Sequence, residues 1–134
     1  MKKVLSLTLL LLIGCAGTAQ YSLNNDWVSD IAYRENDYKA CVVRDRMPAS
    51  SVNALSADFH AILSWSKYDQ AAFDEGVRQS EEDINAHTEE QLLEWCNYAK
   101  TQELPVVVTA LRQARTDTVN WINIENNRRA KMWQ

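Results

Sequence analysis

His87, Glu90 and Glu94 have a spacing that could bind a metal ion. Residues at i, i+3 and i+7 share one side of a helix, and an imidazole with two carboxylates is a ligand set that zinc accepts. The same spacing is common on solvated helix faces, and the helix dipole favours a glutamate such as Glu90 near a helix N-terminus. We therefore expect no metal at these residues.

Motifs of covalent or phosphate chemistry are missing from the sequence. After the N-terminal apolar segment the glycines are Gly17 and Gly76, which excludes a glycine-rich phosphate loop and a serine-hydrolase elbow. The two histidines, His60 and His87, belong to different predicted helices, and no nucleophile pairs with either in the sequence. We predict that the protein is not an enzyme and uses no cofactor.

The three cysteines are expected to have two different roles. Cys15 directly follows an apolar run, which leaves Cys41 and Cys96 as an even pair. In an oxidising compartment the pair should form a disulfide, and closing this loop of 56 residues would restrict the unfolded chain by about 4 kcal/mol. The alternative is two buried free thiols.

The N-terminus has the composition of an export signal. Lys2 and Lys3 precede an apolar stretch at 4–13, and the run of 16 residues at 4–19 is short of the roughly 20 that span a bilayer. The tetrapeptide Leu12-Ile13-Gly14-Cys15 resembles the lipobox of bacterial lipoproteins, a resemblance confined to the first fifteen residues.

This resemblance implies removal of a signal peptide at 1–14 and lipidation of Cys15, followed by a short tether within 15–25. Because Ala16 is not aspartate, it also implies an outer-membrane anchor, and we expect the domain on the periplasmic side. The alternative is cleavage after Gly17-Thr18-Ala19, which would release a soluble periplasmic protein.

From Asp26 onward the apolar spacing is helical, so we predict a single all-α domain over 26–134, a small bundle of four or five helices stapled by Cys41 and Cys96. The expected N-caps are Asp26, then Ser50 or Ser51, then Asp69, then Thr88 in a capping box with Gln91. Both cysteines of the pair fall on apolar faces, on the first and fourth helices. Residues 104–124 fit a fifth helix or short β-rich strands, and we favour the helix because no hairpin turn separates the two runs.

Acidic side chains are concentrated in the middle of the chain. The whole chain carries a formal charge of −4, and removal of Lys2 and Lys3 would leave 12 bases against 18 acids, or −6. Within 69–94 nine acids accompany one base, Arg78, whereas from Arg112 onward five bases accompany two acids. This excess of acids over bases argues against a nucleic-acid partner, which would require a basic surface.

The acidic segment has two interpretations, a solvated helix face or a surface that attracts a basic protein. The cluster Glu81-Glu82-Asp83 favours the second, because it is predicted near a helix C-terminus, where the dipole disfavours negative charge. The candidate partner-binding residues are Asp74, Glu75, Glu81, Glu82, Asp83, Glu89 and Glu90.

The chain contains five tryptophans, whose side chains are large for the core of so small a domain. We expect Trp27, Trp65, Trp95 and Trp121 to pack inside it. Trp133 lies beside bases at the end of the chain, where it could contact anionic lipid or a partner, or fray.

These observations favour a membrane-anchored periplasmic lipoprotein that binds a basic protein, as an inhibitor or immunity-type protein. The expected architecture is similar to that of small exported immunity proteins and of acid-stress chaperones with one long-range disulfide, although no stretch matches a motif of either. The alternative is an accessory structural lipoprotein of a secretion, envelope-assembly or phage-exclusion system. The sequence is also compatible with a homodimer.

Overall fold

The computed structural model describes residues 20–132. In this part the chain forms five helices, α1 (Asn25–Val43), α2 (Ala49–Trp65), α3 (Gln70–Ala86), α4 (Glu89–Gln102) and α5 (Leu104–Met132). The all-α bundle is confirmed, and residues 104–124 are helical. The predicted signal peptide, the lipidation site Cys15, the alternative cleavage site after Ala19 and Trp133 all lie outside the described residues.

Helix α1 is the centre of the bundle and packs on α2, α3 and α4. Its buried positions recur every three or four residues, as expected for a helix that contacts neighbours on more than one side. They are Val28, Ile31, Ala32, Glu35, Asp37, Tyr38 and Cys41. Two of these are carboxylic acids, which the apolar pattern did not predict.

Helices α1 and α3 approach each other closely at Gly76. A Cβ on Gly76 would lie 2.2 Å from the backbone oxygen of Ser29 and 3.0 Å from the Cβ of Ala32. One turn further along, the fully buried Ser80 accepts a hydrogen bond from the Asn36 amide at 3.0 Å. Small residues on α3 therefore allow the two helices to approach backbone to backbone.

Helix α5 is the longest helix, with 29 residues, and packs along α2. Its buried residues Leu104, Leu111 and Thr118 are seven apart, so they form one stripe along the helix. Arg115 on the same helix forms an ion pair with Asp58 of α2 at 3.0 Å and lies 5.5 Å from the Trp65 ring centroid. No helix within 20–132 is both long and apolar enough to cross a membrane.

The predicted disulfide between Cys41 and Cys96 is present and joins α1 to α4. The two Cα atoms are 5.6 Å apart, and both residues are buried. Just beyond Cys41, α1 ends in a Schellman turn, in which Arg46 N–H donates to the Cys41 carbonyl and Asp45 N–H donates to that of Val42. Asp45 has the positive φ of 59° that this turn requires.

The helix starts agree with the predicted caps in two of four cases. Asp69 caps α3 by accepting from Ala71 N–H, and Thr88 with Gln91 forms the predicted capping box of α4. Asp26 is not the cap of α1, because the Asn24 side chain accepts from the N–H groups of Asp26 and Trp27.

Neither Ser50 nor Ser51 caps α2. That helix begins after Pro48, which occupies the cap position and makes no side-chain hydrogen bond there. Proline is compatible with the extended backbone that a cap position needs, so the helix can start there without a polar cap.

Two short strands close the bundle near its N-terminus. β1 (Tyr21–Ser22) pairs in parallel with β2 (Ser66–Lys67), and Leu23 N–H continues the pairing to the Lys67 carbonyl at 2.9 Å. Residues 21–23, within the segment assigned to a tether, are thus hydrogen-bonded to the domain.

Four tryptophans lie at the margins of the core and are partly buried. Trp27 contacts the Phe59 ring edge-on at 5.8 Å, and Trp95 stacks on Tyr38 at 6.3 Å. Trp121 contacts Tyr21 edge-on at 5.2 Å. These three tryptophans each pack against a second aromatic ring, and, contrary to the prediction, none of the four is enclosed in the core.

Candidate functional site

The seven predicted partner-binding acids lie on α3 and on the first turn of α4. At 100° per residue, Asp74, Glu75, Glu81 and Glu82 fall on the side of α3 opposite to Gly76 and Ser80, which pack on α1. These four acids, called the outer acidic face below, surround Arg78. Asp83 instead lies on the flank of α3 nearest α1, and Glu89 and Glu90 open α4.

Several of these acids already have partners within the protein. Arg78 forms ion pairs with Glu75 and Glu82, and its hydrogen bonds lower the pKa of Glu75. Gln70 donates to Asp74 at 3.0 Å. Such exposed contacts on one helix contribute at most a few tenths of a kcal/mol.

The side chains of Asp83 and Glu89 form hydrogen bonds with residues of α1. The Tyr33 hydroxyl donates to Asp83, and burial together with this hydrogen bond raises the pKa of Tyr33, so Tyr33 remains a donor at neutral pH. Arg44 forms a forked interaction with Glu89, with an Nη2–Oε1 distance of 2.8 Å, and this hydrogen bond lowers the pKa of Glu89. Among residues 20–132, Glu81 and Glu90 have neither a hydrogen bond nor an ion pair.

A cleft lies between one face of α1, the C-terminal end of α3 and α4. Its volume is about 100 Å³, which is below the roughly 300–1,000 Å³ of a typical small-molecule pocket. Tyr33, Asp37 and Arg44 line it from α1, Asp83 and His87 from the end of α3, and Trp95 from α4. Of the predicted acids, Asp83 therefore lines the cleft, which opens beside the disulfide.

Asp37 is the least expected group in this cleft, because only 7 % of the residue is exposed. It accepts a hydrogen bond from the Ser80 hydroxyl. Burial raises the pKa of Asp37 to about 6, the Ser80 hydrogen bond opposes this, and the nearby charges of Asp83 and Glu103 raise it further. The carboxyl group thus titrates near neutral pH, inside a pocket.

Sequence reasoning missed Asp37, although a signal was available. Asp37 is four residues before Cys41, so it shares the helix face on which Cys41 was predicted to be buried. A carboxylate on the buried face of a helix is an indication of a functional or network position.

A second buried carboxylate, Glu35, lies between α1 and α2. It accepts hydrogen bonds from the Ser56 hydroxyl and from His60 Nε2, the latter at 2.9 Å, and Lys39 Nζ lies 3.6 Å away. In a nucleophile–base arrangement the hydroxyl would bond the imidazole. Here the hydroxyl bonds the carboxylate instead, so these three residues form a structural link between two helices.

The structure does not bring the candidate metal ligands together. His87 follows α3 as its C-cap residue, and its ring Nδ1 lies 2.5 Å from the Asp83 carbonyl oxygen. Within residues 20–132, no three His, Cys, Asp or Glu side chains are placed to share a metal ion.

Comparison of the chain with models of protein families, with curated proteins and with solved structures finds no match. Its function must therefore be inferred from its own residues.

Proposed function

We propose that this protein is a membrane-anchored periplasmic lipoprotein that acts as a protein-binding module, an inhibitor or immunity-type protein that captures a basic partner on the outer acidic face of α3. The observation that carries this proposal is the division of α3 into two sides. One side packs on α1 through Gly76 and Ser80, and the other presents four acids around a single base.

The negative charges of the outer acidic face are not all neutralised by partners on α3. Arg78 is shared by Glu75 and Glu82, while in the described part of the chain the partner of Asp74 is the neutral Gln70. Glu81 is close to the C-terminus of α3, where the helix dipole disfavours an acid. A surface of uncompensated negative charge accelerates encounter with a basic protein and raises specificity more than it raises affinity.

The structure suggests which acids to reverse. Asp83 and Glu89 are bonded to α1, so changing them would also disturb the fold, whereas among residues 20–132 no hydrogen bond or ion pair links Asp74 or Glu81 to another helix. The test variant is Asp74→Lys with Glu81→Lys. The matched control is Asp117→Lys with Glu125→Lys on α5, which changes the net charge equally on a different helix.

The measurement is recovery of soluble periplasmic proteins on the immobilised full chain at several salt concentrations. We expect one basic protein in stoichiometric amount, released as salt screens the charges. The test variant should slow its association about tenfold or more at low salt, and the control should not. Equal capture by both variants, or recovery only of membrane proteins in a salt-independent manner, would contradict the proposal and favour the accessory structural role.

The lipid anchor is a separate part of the proposal, supported by the resemblance of residues 12–15 to a lipobox. Mass spectrometry of the protein extracted from membranes should find an acylated N-terminal Cys15. The Cys15→Ser variant should lose the lipid and leave the membrane fraction. A mature chain beginning at Gln20 would contradict the anchor and leave the binding proposal standing.

A further inference from the structure

The cleft between α1, α3 and α4 has features of a binding site for a positively charged group. Asp37 lies within it and Asp83 at its edge. The C-terminal end of α3 also borders it, and the partial negative charge of a helix C-terminus adds to that of the two acids. The cleft thus has three sources of negative potential.

The one arginine among the cleft-lining residues is already committed. Arg44 donates from Nε and Nη2 to Glu89 and from Nη1 to the Ala40 carbonyl at 2.9 Å. The charge of Arg44 is therefore balanced by Glu89 and not by Asp37 or Asp83, the two acids that line the cleft. Within residues 20–132, the hydrogen-bond donors to the carboxylates of Asp37 and Asp83 are the neutral hydroxyls of Ser80 and Tyr33, although the charge of Arg34 also acts on Asp37.

Asp37 retains an acceptor for a ligand. Ser80 occupies its Oδ1 atom, and no residue within 20–132 donates to Oδ2. That atom is not sealed in the core, since the only enclosed side-chain oxygen or nitrogen without a partner in the described chain is Ser66 Oγ. A donor that enters the cleft could therefore bond the second oxygen of a carboxylate that is otherwise buried.

The walls of the cleft suit a long apolar stem. Trp95 and Tyr33 line it together with aliphatic carbons and the disulfide, and Trp95 is held in place by stacking on Tyr38 at 6.3 Å. Lysine and arginine combine an alkyl stem with a cationic end that also interacts favourably with aromatic rings.

We propose that this cleft receives one lysine or arginine side chain of a protein partner, with Asp37 as its charged acceptor and Trp95 and Tyr33 as its walls. This inference rests on the proposed function, because the acidic face would bring the basic partner to the cleft. It adds a specific contact to what is otherwise long-range attraction. Asp83 lines the cleft and directly follows Glu82 of the outer acidic face in the chain.

Binding should depend on pH through the ionisation of Asp37. Its pKa near 6 means that the carboxyl group is charged at pH 7.5 and mostly neutral at pH 5. The groups that face it are Asp83 and His87 from the end of α3, Arg34, Tyr33 and Arg44 on α1, and Glu103 after α4. Loss of the Asp37 charge should weaken binding of a cation about tenfold between pH 7.5 and pH 5.

The experiment uses the full chain in mild detergent and four probes, which are Nα-acetyl-arginine amide, Nα-acetyl-lysine amide, the norleucine analogue without the charge, and 1,5-diaminopentane. Nuclear magnetic resonance titration gives the affinity and the residues that respond. We expect the arginine probe to bind with shifts centred on Tyr33, Asp37 and Trp95, and the norleucine probe not to bind. The Asp37→Asn variant should bind at least tenfold more weakly and lose the pH dependence, whereas Asp117→Asn on α5, which does not line the cleft, should bind as wild type does and with the same pH dependence.

Several results would overturn the inference. Equal binding of the arginine and norleucine probes, or unchanged binding by Asp37→Asn, would show that the cleft does not recognise the charge. Binding of the diamine without binding of either blocked amino acid, arginine or lysine, would point to a free amine instead of a protein side chain. Because these titrations need no partner, they can fail while capture by the outer acidic face persists, and capture can fail while they succeed.

Discussion

The imidazole Nε2 of His60 lies 2.9 Å from Oε2 of Glu35 and connects α2 to α1 through a carboxylate that is almost fully buried. The Ser56 hydroxyl, one turn before His60, donates to the same oxygen. Two residues of α2 therefore bond the same oxygen atom on α1. This directional contact specifies the position of α2 against α1, which apolar packing alone would not do.

Replacement of Glu35 should destabilise the protein. In Glu35→Ala, the half-buried Ser56 loses its acceptor, and we expect the free energy of unfolding to fall by about 2 kcal/mol. Glu35→Gln retains one acceptor oxygen and should cost less. Urea unfolding at pH 7 measures both, with Glu81→Ala on the outer acidic face as a control expected within about 0.5 kcal/mol of wild type. An effect of Glu35→Ala no larger than the control would show that the link contributes nothing.

Replacement of Gly76 by alanine tests the close contact of α1 and α3. Alanine at an exposed helix position is more stable than glycine by about 1 kcal/mol. Here the new Cβ would lie 2.2 Å from the Ser29 oxygen, so the helices must separate, and we expect a loss of about 2 kcal/mol instead.

The test is whether the Gly76→Ala substitution raises or lowers the midpoint of unfolding. Gln79→Ala, on the exposed side of the same helix, is the control and should be neutral or slightly stabilising. A stabilised Gly76→Ala variant would mean that the two helices are not in backbone contact.

Reduction of the Cys41–Cys96 disulfide should lower the free energy of unfolding by about 4 kcal/mol, given the 55-residue separation of the two cysteines. The measurement compares urea unfolding with and without a reductant. Alkylation before reduction is the control, because the native protein should offer no reactive thiol at 41 or 96. Two alkylated cysteines in the unreduced protein would contradict the disulfide.

Asp37 should make stability depend on pH in the opposite direction to an ion-paired acid. Its pKa is about 6 in the folded protein against an ordinary value of 3.8. Between these values the folded state holds more protons than the unfolded state, so stability falls as pH rises from about 4 to 6 and stays lower above it. Asp37→Asn should abolish this loss and exceed wild type at pH 7 by on the order of 2 kcal/mol.

The comparison of wild type with Asp37→Asn should be made by urea unfolding from pH 4 to pH 7.5 at constant ionic strength. Glu75 and Glu89 have lowered pKa values, so they stabilise the fold at neutral pH and lose that contribution on acidification. Both are present in both proteins and cancel in the difference. A difference that does not change with pH would refute the role of Asp37.

The fold was largely predictable because its signals are local. Apolar spacing gave the helices, and Asp69 and Thr88 capped helices where their side chains were expected to do so. Asp26 was the wrong cap because Asn24, two residues earlier, is an equally good capping type, and sequence alone does not give the backbone angles that distinguish them. The short strand pair at Tyr21–Ser22 has no periodicity that could have revealed it.

The site was less predictable because its parts come from distant segments. The acids of α3 and α4 could be seen in the sequence, but their partners Tyr33 and Arg44 are 50 and 45 residues away along the chain. The buried acids Glu35 and Asp37 were missed because the buried positions of the helices were predicted from apolar spacing. Their burial depends on Ser56 and Ser80, which lie on other helices.

The bond between Cys41 and Cys96 also closes a covalent ring that contains α2 and α3, whereas α5 lies outside it. A single proteolytic cut anywhere between these two cysteines would open the ring without releasing a fragment. The two pieces would remain one molecule until the disulfide is reduced. For a protein proposed to work among the proteases of the cell envelope, a nick in the turn between α2 and α3 would therefore leave the outer acidic face tethered to the rest of the domain.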